Sequence, residues 1–242
     1  MDIKILPEIE ENLFPLQDDE YRFLEESILQ DGIRDALVVW PRSGELILVD
    51  GHNRYRIAQK YDISFQVVEK QFSDLDEVLE WINFNQLGRR NLTDEQRTYI
   101  LGKIYERRKK QGERKDLIKV VDDELVDNLS TSSGIAATAR EIAQQSGTNE
   151  KTVRRAAEFA KAVDEIKKAS FKAADLILKG KVDGAKTYLP KAAENSDILP
   201  KIVEKLENSS DRSLKIKDVL KEIRKEEISE ERKKILQKAE AL

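Results

Sequence analysis

The segment Val49-Asp50-Gly51-His52-Asn53-Arg54-Tyr55-Arg56 holds the densest chemistry of the chain. A hydrophobic run, Leu46-Ile47-Leu48-Val49, stops at Asp50-Gly51, and two arginines follow at helical spacing. A strand that ends at a glycine and feeds a helix start leaves free backbone N–H groups and the positive helix end facing one spot, which makes an anion pocket. Arg54 and Arg56 can add charge-assisted hydrogen bonds to phosphate oxygens. A second segment, Asn85-Gln86-Leu87-Gly88-Arg89-Arg90-Asn91-Leu92-Thr93, brings Gln86, Arg89 and Arg90. Its arginines either reach back to the same pocket or touch the backbone of a polyanion. His52 has two readings: a hydrogen-bond donor or acid beside phosphate, or a neutral side chain at a strand end. Asp50 likewise caps the following helix or recruits a metal. No Ser-His-Asp set and no spaced cluster of metal ligands accompanies them, so no metal site of the chain's own is expected.

These residues need elements to hold them. Asp18 or Asp19 caps a helix running to Gln30, with Tyr21, Leu24 and Ile28 on one face and Gly32 as its stop. Leu37-Val38-Val39-Trp40 reads as a buried strand, Pro41-Arg42-Ser43-Gly44 as a turn, and Leu46 to Val49 as the next strand. Arg54 to Tyr61 reads as a helix burying Tyr55 and Ala58, and Phe65 to Lys70 as a strand. Ser73 is placed as the cap of a helix with Leu75, Val78, Leu79 and Ile82 as its stripe. Thr93-Asp94-Glu95-Gln96 is a capping box opening a helix to about Lys110. Arg107-Arg108-Lys109-Lys110 then falls at a helix end, where it favours the dipole or contacts phosphate.

Between Gln111 and Gly134 the periodicity lapses, and Asp122-Asp123-Glu124 and Ser130-Thr131-Ser132-Ser133-Gly134 read as linker. After Ile135 the pattern is helical throughout, without strand signals and with stops at Gly147, Gly180, Gly184 and Pro190. Thr138-Ala139-Arg140-Glu141 forms another capping box and opens a short helix carrying Ile142 and Ala143. Gly147 permits a tight turn, Asn149 caps the next helix, and Val153 and Ala157 face the first. Ala143, Gly147 and Val153 follow the helix-turn-helix spacing, in which a small residue allows approach, glycine takes the turn and a β-branched residue fills the angle. In that register Thr138, Asn149, Lys151, Thr152, Arg154 and Arg155 are the candidate DNA contacts. An ordinary helical hairpin with a charged face has the same packing. The final stretch, Leu214 to Leu242, is charged and helical, and the irregular spacing of Val219, Leu220, Ile223, Ile228, Ile235 and Leu236 does not support a regular coiled coil.

Composition limits the function. The 242 residues suffice for two modest domains, 37% are charged and 6% aromatic, and the formal net charge is −4. The charge is uneven: Gln86 to Lys115 holds ten Lys/Arg against four Asp/Glu, and local basic patches decide whether a polyanion binds. Without cysteine there are no disulfides, thiolate chemistry or Cys-based zinc sites, and one histidine argues against a His-rich metal site. No secretory signal or membrane-length apolar run is read, so a cytoplasmic protein without a membrane partner is expected.

The Asp50–Arg56 and Asn85–Thr93 segments together resemble the N-terminal domain of ParB-type partition proteins, a fold shared with sulfiredoxin. The resemblance covers roughly residues 3 to 165. Of the family's Gly-Glu-Arg-Arg-x-Arg motif, Gly51, Arg54 and Arg56 match, while His52 and Asn53 replace Glu and Arg. Of its Glu-Asn-(Leu/Ile)-Gln-Arg-x-Asp-Leu motif, Leu87, Arg89 and Leu92 match, while Asn85, Gln86, Gly88 and Asn91 depart. The resemblance implies an α+β ParB/sulfiredoxin-like domain over 1–110, a linker over 111–134, an all-α helix-turn-helix domain over 135–190 and a helical C-terminal region over 191–242.

It also implies CTP or another nucleotide with Mg²⁺ as cofactor, bound through Gly51, His52, Asn53, Arg54, Arg56, Gln86, Arg89 and Arg90. Both family glutamate positions are free of carboxylate here, which Mg²⁺ favours, so at most a weak nucleotide triphosphatase is expected. The partners implied are double-stranded DNA, a second copy of the chain and a ParA-type ATPase. The function implied is plasmid or mobile-element partition or transcriptional regulation, in the cytoplasm on nucleoid or plasmid. The rival reading is a ParB-fold phosphotransferase or nuclease, because Asp50-Gly51-His52-x-Arg54 also resembles a segment of ParB-fold free-serine kinases.

Overall fold

The computed structural model describes the backbone of residues 3–89, 91–122, 130–208 and 214–240, with side chains described outside 112–137, 230 and 233–240. Two compact units divide the chain, Met1–Gly88 and Arg89–Leu242.

The first unit runs β1 (Ile3–Lys4), α1 (Pro7–Glu10), α2 (Asp18–Asp31), β2 (Leu37–Arg42), β3 (Glu45–Asp50), α3 (His52–Tyr61), β4 (Val67–Glu69) and α4 (Leu75–Leu87). Its sheet has the order β1-β3-β2-β4. Strands β2 and β3 are antiparallel, with β1 parallel to β3 and β4 parallel to β2. Pro41 and Arg42, expected in the turn, belong to β2. The hairpin needs only Ser43 and Gly44, at φ 53° and 82°, and two left-handed residues give the turn that matches strand twist.

The unbroken apolar runs of β2 and β3 are explained by burial of both sheet faces. Ile47, Val49 and Trp40 pack with Ile9, Phe72, Val78, Leu79 and Ile82, which places α1 and α4 on that face. Leu37, Val39 and Leu48 pack with Ile3 and Tyr55 on the other, which is the α3 face. The Trp40 indole Nε1 donates to the Phe72 carbonyl at 3.1 Å. Phe72 meets Trp40 and Trp81 edge to face, a geometry favoured by the ring quadrupoles.

Two helix starts differ from expectation by one residue. Gln17 caps α2 in a reciprocal box with Glu20, in place of Asp18 or Asp19. Asp74 caps α4 by accepting from the Glu77 N–H at 2.9 Å, in place of Ser73, whose own N–H donates to the Glu77 carboxylate at 2.7 Å. In both, adjacent polar residues compete for the cap, and the one in extended backbone next to the helix takes it.

The second unit runs α5 (Asp94–Asp122), α6 (Ser130–Ser146), α7 (Glu150–Ala169), α8 (Phe171–Leu178), β5 (Val182–Asp183), α9 (Ala185–Ala193), α10 (Ile198–Glu207), β6 (Leu214–Lys215) and α11 (Ile216–Glu240). Its hub is α7, whose Val153, Ala156, Ala157, Phe159, Ala160, Ala162, Val163 and Ile166 are all buried. Around it pack α5, α6, α8, α9 and α10. The Thr93 box forms as expected: Thr93 Oγ1 accepts from the Gln96 N–H, and Gln96 Oε1 accepts from the Thr93 N–H, both at 3.0 Å.

Helices α5 and α7 approach closely at Gly102, where an added Cβ would lie 2.2 Å from the Ala156 carbonyl oxygen and 2.7 Å from Ala160 Cβ. Polar contacts flank it. Asp164 accepts from the Tyr99 hydroxyl and from the Lys103 ammonium, each at 2.6 Å, and Lys161 pairs with Glu106 at 3.2 Å.

The helical half holds four corrections. α5 continues in backbone to Asp122 rather than ending near Lys110, so Arg107 to Lys110 is not at a helix end. Helix α6 already begins at Ser130, where a linker was expected, and Thr138 lies inside it rather than opening it. The serine run has weak helix propensity, and burial of Ala139, Ile142 and Ala143 at the other end overrides it. Residues 123–129 lie outside the described residues. Pro190 sits within α9 rather than stopping a helix. Val182–Asp183 and Leu214–Lys215 form a two-residue parallel pair where no strand was expected. Strands this short leave no alternation to read.

Candidate functional site

β3 delivers Asp50 and Gly51 to the start of α3. Gly51 is the cap residue of α3, at φ 96°, a conformation that L side chains rarely adopt. An added Cβ would also lie 2.5 Å from Leu37 Cδ2 and 3.1 Å from Arg54 Nη2. Glycine is therefore required on two counts, and the helix opens with no side-chain cap on its first N–H groups. Those groups and the dipole are what an anion needs.

Charge is held at the same turn. Arg54 Nη2 donates to Asp50 Oδ2 at 3.1 Å, while Arg54 Nε is buried and has no hydrogen-bond partner. Asp50 thus restrains one edge of the guanidinium and leaves the other open. Arg56 pairs with Glu10 at the end of α1 and reaches Asn53 Oδ1 at 3.5 Å. His52 is 5% exposed, and neither ring nitrogen has a partner.

Burial holds the His52 imidazolium pKa down to about 4, against the attraction of Asp50. The ring is neutral at pH 7. Its folded pKa lies below the unfolded 6.5, so its contribution to stability is complete above pH 6.5 and is lost as pH falls toward about 4. The full shift corresponds to about 3 kcal/mol. Urea midpoints of the wild type should therefore decline more steeply than those of His52→Gln between pH 6.5 and 4. Parallel declines would show that His52 is free to protonate in the folded chain.

α4 contributes a second polar group in the same unit. Asn83 and Gln86 are 2% and 1% exposed. Asn12 Nδ2 donates to Asn83 Oδ1 at 2.9 Å, and Gln86 Nε2 donates to the Asn12 carbonyl at 3.0 Å. Asn83 Nδ2 and Gln86 Oε1 are left without partners. Glu10 holds Arg56 and Asn12 holds Gln86, so the end of α1 ties the α3 start to the α4 end. Neither Asn83 nor Asn12 was singled out in the sequence, because an interior amide carries no motif. The hydrophobic stripe of α4 continued through Asn83 was the available signal.

Of the remaining candidates, Arg89 begins the second unit, and its carbonyl accepts from Arg97 Nη2 at 3.4 Å. Arg90 lies outside the described residues. Groups of three or more side chains able to hold a metal are absent among the described residues. The described residues also include no helix long and apolar enough to cross a membrane.

The second set of candidates surrounds the α6–α7 turn. Gly147 is at φ 66°, Thr148 N–H donates to the Ala143 carbonyl at 2.9 Å, and Ala143, Val153 and Ala157 are buried. Asn149 caps α7, its Oδ1 accepting from the Thr152 N–H at 2.9 Å and the Thr152 hydroxyl at 3.1 Å. Lys151, Thr152, Arg154 and Arg155 are exposed, with Arg154 3.8 Å from Glu150. Thr138 is half-buried on α6. Asn149 and Thr152 therefore use their polar atoms on each other, and the outward-facing charge is that of Lys151, Arg154 and Arg155.

No protein-family model matches the chain, and no curated protein matches it. Solved structures similar to it include ParB proteins. One is the C-terminally truncated chromosome-partitioning protein ParB from Caulobacter crescentus complexed with CTP-γ-S, at 16% identity and TM-score 0.32, with 85% of this chain and 94% of that one covered. The same protein complexed to the centromeric parS site matches at 16% identity and TM-score 0.39, covering 86% and 90%. The pNOB8-like ParB N-domain matches at 17% identity and TM-score 0.45, covering 87% and 90%.

Proposed function

We propose that the chain is a ParB-like, sequence-specific DNA-binding protein of plasmid or mobile-element partition, or of transcriptional control of such an element. The observation that carries the reading is the α6–α7 turn. A glycine-bearing three-residue connection leads into a capped helix start with Lys151, Arg154 and Arg155 facing outward. That is the arrangement by which a helix enters a major groove with bases and phosphates in reach. Two copies acting on a two-fold symmetric site would give the affinity that a single helix in one groove lacks.

The first unit supplies the switch in this reading. A nucleotide phosphate, CTP being the nucleotide implied by the resemblance, sits against the uncapped N–H groups after Gly51. Arg54 and Arg56 bind it, Asn53 and His52 line it, and Gln86 lies at the edge. The fit rests on the required glycine and on the buried, unpartnered Arg54 Nε and His52 nitrogens, which a phosphate and its waters would satisfy. Arg54 must exchange part of its bond to Asp50 for the ligand. Mg²⁺ would be held by the nucleotide's phosphates and water, the usual way this ion is bound, and the bound ion would screen phosphate charge.

The test is selection of bound fragments from random DNA by the full chain, with and without CTP at fixed near-physiological salt. The expected result is a discrete motif with two-fold symmetry whose enrichment changes with CTP. No enrichment in either condition rejects the DNA reading, and enrichment indifferent to every nucleotide rejects the switch.

A further inference from the structure

We infer that Arg108, Lys109 and Lys110 of α5 join Lys151, Arg154 and Arg155 of α7 in one phosphate-binding face, so that a double helix read by α7 is also gripped along its backbone by α5. The inference rests on the reading of the second unit as DNA-binding and adds a surface that the turn motif does not include.

The helix register carries it. Tyr99 and Lys103 reach Asp164, Gly102 lies against Ala156 and Ala160, and Glu106 pairs with Lys161. The Arg154 charge acts on the Tyr105 hydroxyl. Later residues of α5 meet earlier residues of α7, so the helices run antiparallel. Lys109 is two turns beyond Gly102 on the same side of α5, about 10 Å along the axis. The same distance along α7 from Ala156 leads back to its capped start. The α5 run is therefore level with Asn149 to Arg155.

Because α5 continues to Asp122, these cations gain nothing from a helix end, and Arg107 and Lys110 are like charges at i,i+3, which costs helix stability. Two acidic side chains near the run are engaged, Glu106 by Lys161 and Glu150 by Arg154. Arg107, Arg108 and Lys109 have intramolecular partners, which a phosphate would have to displace, and Lys110 is exposed. The dimensions fit a duplex. Packed helix axes are about 8–10 Å apart and the major groove is about 12 Å wide. A helix seated in the groove sets its neighbour against the phosphates at the groove edge.

The experiment compares the full-length wild type with the Arg108→Gln, Lys109→Gln, Lys110→Gln triple variant. The readout is log affinity against log salt, on the selected site and on a random-sequence duplex. Each phosphate contact contributes a slope of about 0.9, so the expected result is a slope shallower by about two to three on both DNAs, with the same sequence preference. Lys110→Gln alone, on an exposed residue, should remove about one unit and keeps the test decisive if the triple variant misfolds. An unchanged slope in a protein that binds DNA overturns the α5 face alone. Failure of the wild type to bind any duplex overturns the reading beneath it.

Discussion

Gly102→Ala is expected to destabilise the second unit by about 3 kcal/mol, as overpacking of a tight interface does. The sign is opposite to that at an open helical site, where glycine to alanine gains about 1 kcal/mol through helix propensity. Here the added methyl meets the Ala156 carbonyl oxygen at 2.2 Å and its carbon at 2.6 Å. Backbone cannot rotate out of the way, so α5 and α7 must separate. Separation would also stretch the bonds from Tyr99 and Lys103 to Asp164 and strip Ile100 and Ile104, which are fully buried, of part of their packing. Thermal unfolding measured by circular dichroism checks this, and a higher melting temperature for the variant would reject the close crossing.

Arg54→Ala is expected to weaken nucleotide binding roughly a hundredfold while leaving the fold intact. The loss corresponds to one or two charge-assisted hydrogen bonds at about 1.5–3 kcal/mol each. The fold survives because the bond to Asp50 joins partly exposed groups, and such pairs contribute at most about 1 kcal/mol. Arg54→Lys should recover only part of the affinity, since an ammonium keeps the charge and loses the planar fork. Titration calorimetry with CTP separates the outcomes. Wild-type affinity in Arg54→Ala would remove the pocket from the Gly51 turn.

Much of the first unit was legible because its signals are local. The β2 and β3 runs, the Gly32 stop and the Val78-Leu79-Ile82 stripe each depend on neighbours in sequence. The Gly51 conformation was legible for the same reason: a strand cut off at Asp-Gly must turn there. Long-range facts were not. Gly102 carries no motif of its own, and only the approach of α7 explains a glycine there. Asn12, Asn83 and Gln86 form their bonds across more than seventy residues. The pairing of Val182 with Leu214 joins two runs too short to show a period. Where α5 ends was misjudged because a basic run resembles a helix terminus, and the difference moves Arg107 to Lys110 from capping to surface charge.

Both tryptophans of the chain, Trp40 and Trp81, sit around Phe72 in the sheet unit, whereas the long helices lie in the other. Indole emission therefore follows the melting of one half, and the helical signal of circular dichroism chiefly follows the other. Coincident curves would mean that the halves unfold as one cooperative system, and separated curves would mean two. In the second case a change confined to the helical half, Gly102→Ala among them, shifts the dichroism and leaves the fluorescence midpoint in place.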